Sequence, residues 1–191
     1  MDIRTILFVD GENLVFRFQD ELKAGRTPAD GVIHEPDCFV WHPGITHISH
    51  FGLFRVCYYT TVTGDDSRLE SIKQKLAAIV FNAVTPGGPV ITGQVVPVVF
   101  KKLQKSTKTR VVDIHLIIDV LRYAHSDAAE LIYLVSGDQD YLPLIHEVMR
   151  QGKQVYIGAL SSGLAKPLTY NCDEFFDLDR VLFKPLPPAA A

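Results

Sequence analysis

TILFVDGEN, Thr5 to Asn13, and LIYLVSGDQD, Leu131 to Asp140, are built alike. Each opens with an unbroken run of aliphatic, β-branched and aromatic residues and ends in a small turn of glycine, acids and an amide. A run without polar alternation fits a strand covered on both faces. A helical pattern follows each turn, and strands alternating with helices imply a parallel sheet. Runs of the same kind recur at Phe54 to Thr61, Gln94 to Phe100 and Gln154 to Ala159, which gives an α/β fold with about five strands. Pro97 interrupts the third of these, and proline cannot donate to a ladder, so that strand is expected at an edge.

Between the strands, Ser67 to Val84 carries Leu69, Ile72, Leu76 and Ile79 on one helical face, with Ser67 and Glu70 as a capping box. Val112 to His125 is apolar on most sides and is expected to pack tightly on the sheet, and Gly152 closes a helix from Tyr141 to Gln151. Lys23 to His50 has no clear period and reads as a long excursion from the first helix to the second strand. The whole reads as one domain over residues 1–184, followed by a tail, 185–191, whose three alanines have the look of a vector remnant.

At 191 residues and 47% hydrophobic content the chain can fill one sizeable core. Three cysteines, Cys38, Cys57 and Cys172, with no C-x-x-C spacing fit a reducing compartment, and the N-terminus resembles no signal peptide. A cytoplasmic protein without a membrane span is the expectation. The net charge of -3 argues against indiscriminate coating of nucleic acid, yet a nuclease carries its own acids on that side of the balance.

Both acidic turns stand at the C-terminal ends of strands, where open parallel sheets bind ligands if the strands are neighbours at a switch in order. Asp113 begins the helix after the third run, and a right-handed crossover puts that end on the same rim. Asp10, Asp113, Asp138 and Asp140 therefore converge. Like charges so close raise one another's pKa, and a divalent cation relieves the conflict. All-oxygen ligands suit Mg²⁺ or Mn²⁺, and the chemistry such an ion supports is phosphodiester hydrolysis. Taken one at a time, Asp10 and Asp138 read equally well as turn residues, and Asp113 and Asp140 as helix N-caps.

ILFVDGENL, VVDIHLIIDVLRYA, LIYLVSGDQDYLPLIHEVMRQGKQVYIGAL and CDEFFDL, with RVCYYTT between the first two, resemble the NYN domain, a PIN-like nuclease family, and its LabA-like branch most. The resemblance runs in order from Thr5 to Leu178. It implies a three-layer, Rossmann-like PIN fold and a metal-dependent endoribonuclease acting on single-stranded or structured RNA. Asp10, Asn13, Asp113, Asp138 and Asp140 match the family's polar positions, with Asn13 orienting a phosphate or a metal-bound water. Ser136 and Asp119 match recurrent positions, Ser136 as a substrate-binding residue, but Asp119 lies six residues past Asp113, off its helix face, and reads as a packing residue. The family's basic residue before the helix acid falls to Lys108 or Arg110, both expected to bind substrate. Dimers are common among PIN-like domains, which leaves a homodimer open.

Lys101, Lys102, Lys105, Lys108 and Arg110 form a basic run that could hold backbone phosphates or simply face solvent. His34, Cys38, His42, His47 and His50 match no standard zinc spacing and read first as loop residues, with Phe39, Trp41 and Phe51 packing the loop down and base stacking by Trp41 the lesser alternative. His115, His125 and His146 read as packing or capping residues, and Cys57 and Cys172 as small buried hydrophobes. Three other classes compete with this reading. A non-catalytic RNA- or protein-binding module keeps the same fold. A phosphatase shares the Asp138-Gln139-Asp140 pair but wants a second acid two residues after Asp10, for which Glu12 is a poor match, and a topoisomerase-like domain could use Glu12 with that pair but leaves Asp10 and Asn13 without roles. Dinucleotide binding fails for want of G-x-G-x-x-G.

Overall fold

The computed structural model describes residues 3–47, 52–84, 90–102 and 110–186. In chain order the elements are β1 (Thr5–Asp10), α1 (Gly11–Lys23), β2 (Ile33–Glu35), β3 (Phe39–Trp41), α2 (Gly44–His47), β4 (Leu53–Thr63), α3 (Asp66–Ala77), β5 (Val80–Val84), β6 (Val90–Lys102), α4 (Val111–His125), β7 (Leu131–Val135), α5 (Leu142–Arg150), β8 (Gln154–Ala159), β9 (Glu174–Asp177) and α6 (Asp179–Leu182).

A seven-stranded sheet runs β5-β6-β4-β1-β7-β8-β9, and every pairing is parallel except that of β5 with β6. β1 is central. Leu7 and Val9 point to one face, where Leu14 and Phe18 of α1, Ile72 and Leu76 of α3 and Leu182 of α6 cover them. Ile6 and Phe8 point to the other, under Val112, Leu116 and Val120 of α4 and Ile145 and Val148 of α5. This is a helix–sheet–helix sandwich. Right-handed crossovers produce it, because connections moving one way along the sheet from β1 lie on one face and those moving the other way lie opposite.

The five apolar runs are all strands of the main sheet, and two further strands, β5 and β9, bring that sheet to seven. α3 stops at Ala77, and Val80–Val84 forms β5 instead of continuing the helix, because it pairs with Val90 to Gln94 of β6. The cap of α3 is Asp65, whose carboxylate accepts from the Arg68 amide at 2.8 Å, not the predicted Ser67 and Glu70 box. β9, with only four residues, is a strand by virtue of its ladder to β8. β6 is not the edge strand expected of it, because β5 flanks it on the side away from β4; Pro97 pairs with Tyr58 on the β4 side and lies past Gln94, where the β5 ladder ends, so the missing donor breaks no rung of that ladder.

Two other expectations change. The described part of the Lys23 to His50 stretch, up to His47, is no loose excursion: α1 ends at Lys23, the antiparallel β2–β3 pair follows and α2 comes after it. Phe39, Val40, Trp41 and Ile45 are fully buried in the main core. Trp41 is 1% exposed, which removes it as a stacking platform for a base. α4 is buried along one stripe only, and Ile114 and Ile118 stay 53% and 46% exposed, since a helix on one face of a sheet turns its other side to solvent.

Candidate active site

β1 and β7 are parallel neighbours in register from Thr5↔Leu131 to Val9↔Val135. β1 connects onward to β4 on one side, whereas β7 is reached from β6 and leads on to β8, so the switch in strand order falls between β1 and β7. Their C-terminal turns, Asp10 to Asn13 and Ser136 to Asp140, consequently face one crevice.

Hydrogen bonds knit the two turns. Asp10 caps α1 by accepting from the Asn13 amide at 3.0 Å through Oδ1, while Oδ2 accepts from Ser136 Oγ at 3.0 Å. Ser136 Oγ in turn accepts from the Asp138 amide at 3.2 Å. Asn13 Oδ1 accepts from the Gly137 amide at 3.0 Å, and Asp138 Oδ1 accepts from the Asp140 amide at 3.0 Å. Asp113, in the first turn of α4, accepts from the Tyr141 hydroxyl at 3.2 Å. Asp10 and Asp138 are thus caps as well as site residues, and capping alone does not account for Asp10, which is 3% exposed and shares its second oxygen across strands.

Gly11 makes this approach possible. A Cβ there would fall 2.2 Å from Tyr58 Cε1 and 2.6 Å from the Tyr59 carbonyl oxygen, so α1 starts flush against β4 only because the side chain is absent. Gly11→Ala is expected to push the first turn of α1, and Asp10 with it, off β4. The expected loss is about 2–3 kcal/mol in urea unfolding, in the upper range for an overpacked site; an unchanged midpoint would contradict the close approach.

The electrostatics are those of crowded acids. Burial pushes the Asp10 carboxyl up to about 7, against the pull of the Asn13 amide and the Ser136 hydroxyl, with Asp113 and Glu12 adding to the rise. Asp113 is also raised, first by burial and then by Asp138, Glu12 and Asp140, while the Tyr141 hydrogen bond opposes it. Five carboxylates therefore feel one another. Glu12 alone is matched to a cation, Lys102 Nζ at 3.0 Å, and it also accepts from the Thr61 hydroxyl. Among the described residues, Asp10, Asp113, Asp138 and Asp140 form no ion pair.

The described residues hold no ready-made cage of three or more His, Cys, Asp or Glu side chains. An ion that keeps several waters and uses one or two carboxylates requires none, and oxygen-only acids, with Asp10 buried, Asp113 half-buried and Asp138 and Asp140 exposed, suit such a hard ion. The residues present therefore fit Mg²⁺ or Mn²⁺.

Of the residues singled out from the sequence, Asp10, Asn13, Asp113, Ser136, Asp138 and Asp140 come together. Ser136 is buried and bonded within the site, so it holds the acids in place rather than facing the crevice. Arg110 is exposed at the start of α4 and Lys108 lies outside the described residues, as do Lys105, His50 and Phe51. Lys101 and Lys102 end β6 and are paired, with Asp66 at 2.6 Å and Glu12 at 3.0 Å. Asp119 accepts from the Tyr59 hydroxyl at 2.8 Å, which is the packing role expected of it. His34, Cys38 and His42 assemble no metal group; the ring nitrogens of His42 bond the Gly44 amide and the Asp30 carbonyl, each within 3.2 Å. Glu12 and Tyr141 were missed as site residues, and Lys102, named for its charge, was not foreseen as the partner of Glu12. Glu12 sits inside DGEN and Tyr141 directly follows the acid pair, so position was a signal for both, but nothing local separates the Tyr141 hydroxyl from an ordinary core aromatic.

A family model described as the NYN domain matches residues 4–179. The chain belongs to the NYN domain family. NYN domains have a PIN-like nuclease fold, so an enzyme is the plausible reading of the chain. Among solved structures, a Vibrio parahaemolyticus RIMD 2210633 protein of unknown function, VPA0982, is similar, with a TM-score of 0.63 and 14% identity over 96% of this chain and 97% of that one. At that identity the likeness speaks for the fold alone. No curated protein matches the chain. No helix of the described residues is long and apolar enough to cross a membrane.

Proposed function

We propose that this NYN protein is a metal-dependent endoribonuclease that hydrolyses RNA phosphodiester bonds in the crevice between β1 and β7. The carrying observation is Asp10: a carboxylate 3% exposed, set among other acids and with no cationic partner among the described residues, is costly unless a cation joins it in use. The NYN family supports RNA as substrate, and the DGEN and SGDQDY signatures favour its LabA-like branch. The three free cysteines suit a cytoplasmic setting.

Asp10, Asp113, Asp138 and Asp140 would hold Mg²⁺ or Mn²⁺, directly or through water. When bound, such an ion neutralises charge on a phosphodiester oxygen and lowers the pKa of a water. The chain's own groups supply the rest. Asn13 and Ser136 lock the two acidic turns together through Gly137, Asp10 and Asp138, so the carboxylates are held in place before substrate arrives. Tyr141 fixes Asp113 by its hydroxyl, and Lys102 turns Glu12 aside so that it does not compete for the same position. Asn13, whose Oδ1 is taken by the Gly137 amide, would offer its Nδ2 to a substrate phosphate.

The test incubates wild type and the Asp10→Asn, Asp138→Asn double variant with end-labelled single-stranded and structured RNA in Mn²⁺, Mg²⁺ or chelator. Internal cuts that need metal and vanish in the double variant are expected. Binding of RNA without cutting in any condition would instead make the protein a non-catalytic NYN module.

A further inference from the structure

Acids that bind a metal still need cations to seat a polyanion, and among the described residues the lysines that end β6, Lys101 and Lys102, are occupied by Asp66 and Glu12. Arg17 has only a long contact, to Asp20. It lies on α1 four residues after Asn13, hence on the same helix face. Its guanidinium rests on Gly163, in the loop after β8: a Cβ on that glycine would fall 2.1 Å from Arg17 Cζ and 2.3 Å from Nε. Gly163 has φ +70°, a backbone conformation that favours glycine, so the same residue both turns the loop and leaves room for the guanidinium.

That loop is fastened to the acidic turn. The Ala165 amide donates to the Gly137 carbonyl at 3.1 Å, and a Cβ on Gly137 would meet the Gly163 carbonyl oxygen and Leu164 Cα, each at 3.4 Å. Arg17 is therefore held beside the Ser136 to Asp140 turn. Its ion-pair partner, Asp20, is 3.9 Å away, at the outer limit of such a contact, and no hydrogen bond reaches its guanidinium among the described residues. Its side chain is 39% exposed.

We propose that Arg17 binds a backbone phosphate of the RNA flanking the cleaved bond, an assignment that rests on the nuclease reading above. A planar guanidinium with open donors grips phosphate oxygens in pairs, which a lysine cannot do. Arg110, three residues before Asp113 at the start of α4, stands in the opposite helix layer. A strand held at both ends would cross the C-terminal edge of the sheet from Arg110, over the acids, to Arg17.

The experiment measures binding of a fluorescent single-stranded RNA, in chelator, across a salt series, with Arg17→Gln placed in the non-cutting Asp10→Asn, Asp138→Asn protein. Arg17→Gln is expected to weaken binding about tenfold and to flatten the plot of log affinity against log salt by about 0.7, the value for one lost phosphate contact on a single strand. Arg17→Lys should keep that slope and recover only part of the affinity. Gly163→Ala, which displaces the guanidinium without removing it, should lose affinity in the same direction. Arg122→Gln, whose residue pairs with Asp119 at 3.0 Å on the far half of α4, is the control and should change neither quantity. In the cutting-competent protein Arg17→Gln should raise KM more than it lowers kcat. If the parent binds RNA and wild type cuts it while Arg17→Gln matches the parent in affinity and slope, the assignment of Arg17 falls and the nuclease reading stands. Failure of the parent to bind and of wild type to cut any RNA overturns both.

Discussion

Asp10→Asn is expected to stabilise the metal-free protein at pH 8 by about 3 kcal/mol while removing its response to divalent ions. The sign follows from linkage. In the fold the Asp10 carboxyl is raised to about 7, whereas an unfolded aspartate sits near ~3.9. The native state therefore holds the proton longer than the unfolded one, and the stability Asp10 contributes is complete below about pH 4 and is lost as pH rises through about 7. A gap of roughly three pKa units corresponds to about 4 kcal/mol at pH 8, from which the imperfect fit of the amide subtracts something on the order of 1. Asparagine can keep most of the local bonds: its oxygen still accepts from the Asn13 amide, and its nitrogen can donate to Ser136 Oγ, which loses only its own acceptor. In a chain of this size the gain amounts to a rise in Tm of roughly 6–10 °C. Thermal melts in chelator at pH 8 and pH 4.5 check it, because the advantage should shrink to about 1 kcal/mol or less at the lower pH. Added Mn²⁺ at pH 8 should raise the Tm of wild type and leave that of the variant unchanged. A variant less stable than wild type at pH 8 would mean that burial does not dominate at Asp10.

Trp41→Ala is expected to cost about 3–5 kcal/mol, a large part of the roughly 5–15 kcal/mol that holds a typical domain together. Trp41 is the largest of the fully buried side chains and stands edge-on to Tyr58 with ring centroids 6.4 Å apart. The strand that carries it is fastened to β4 by polar contacts too: the Tyr58 hydroxyl accepts from the Val40 amide and donates to the Val40 carbonyl, both at 3.1 Å, and Thr60 Oγ1 donates to the Cys38 carbonyl at 2.5 Å. Removing the indole leaves a cavity beside these bonds. The urea midpoint should fall steeply with the dependence on urea little changed. Were residues 28–47 only an accessory loop for substrate, the midpoint would hold and RNA binding alone would suffer.

Much of the site was legible in the sequence because its signals are local. An apolar run ending in DGEN or SGDQD specifies a strand, a tight turn and a helix start whatever lies beyond, and the crossover rule places Asp113 on the same rim. The residues that tune the site were less legible. Tyr141 meets Asp113 and Lys102 meets Glu12 across 28 and 90 positions of sequence, distances over which no pattern carries information.

By itself the sequence determined the α/β class, the five long strands, the paired acidic turns and the membership in the NYN family. Tertiary structure decided the rest. Val80–Val84 is apolar enough to continue the helix before it, and becomes β5 because β6 offers a ladder. Glu174–Asp177 is too short to declare itself and becomes β9 against β8. The residues from Phe39 to Ile45 show no period, since they fill a space shaped by α1 and β4 rather than one face of a regular element. Asp10 has the composition of any turn aspartate, and only burial, with Asp113 and Glu12 nearby, raises its carboxyl to near neutral pH. Periodicity and turn chemistry act between neighbours in the chain, whereas burial and ladder pairing are set by segments that meet only once the chain has folded.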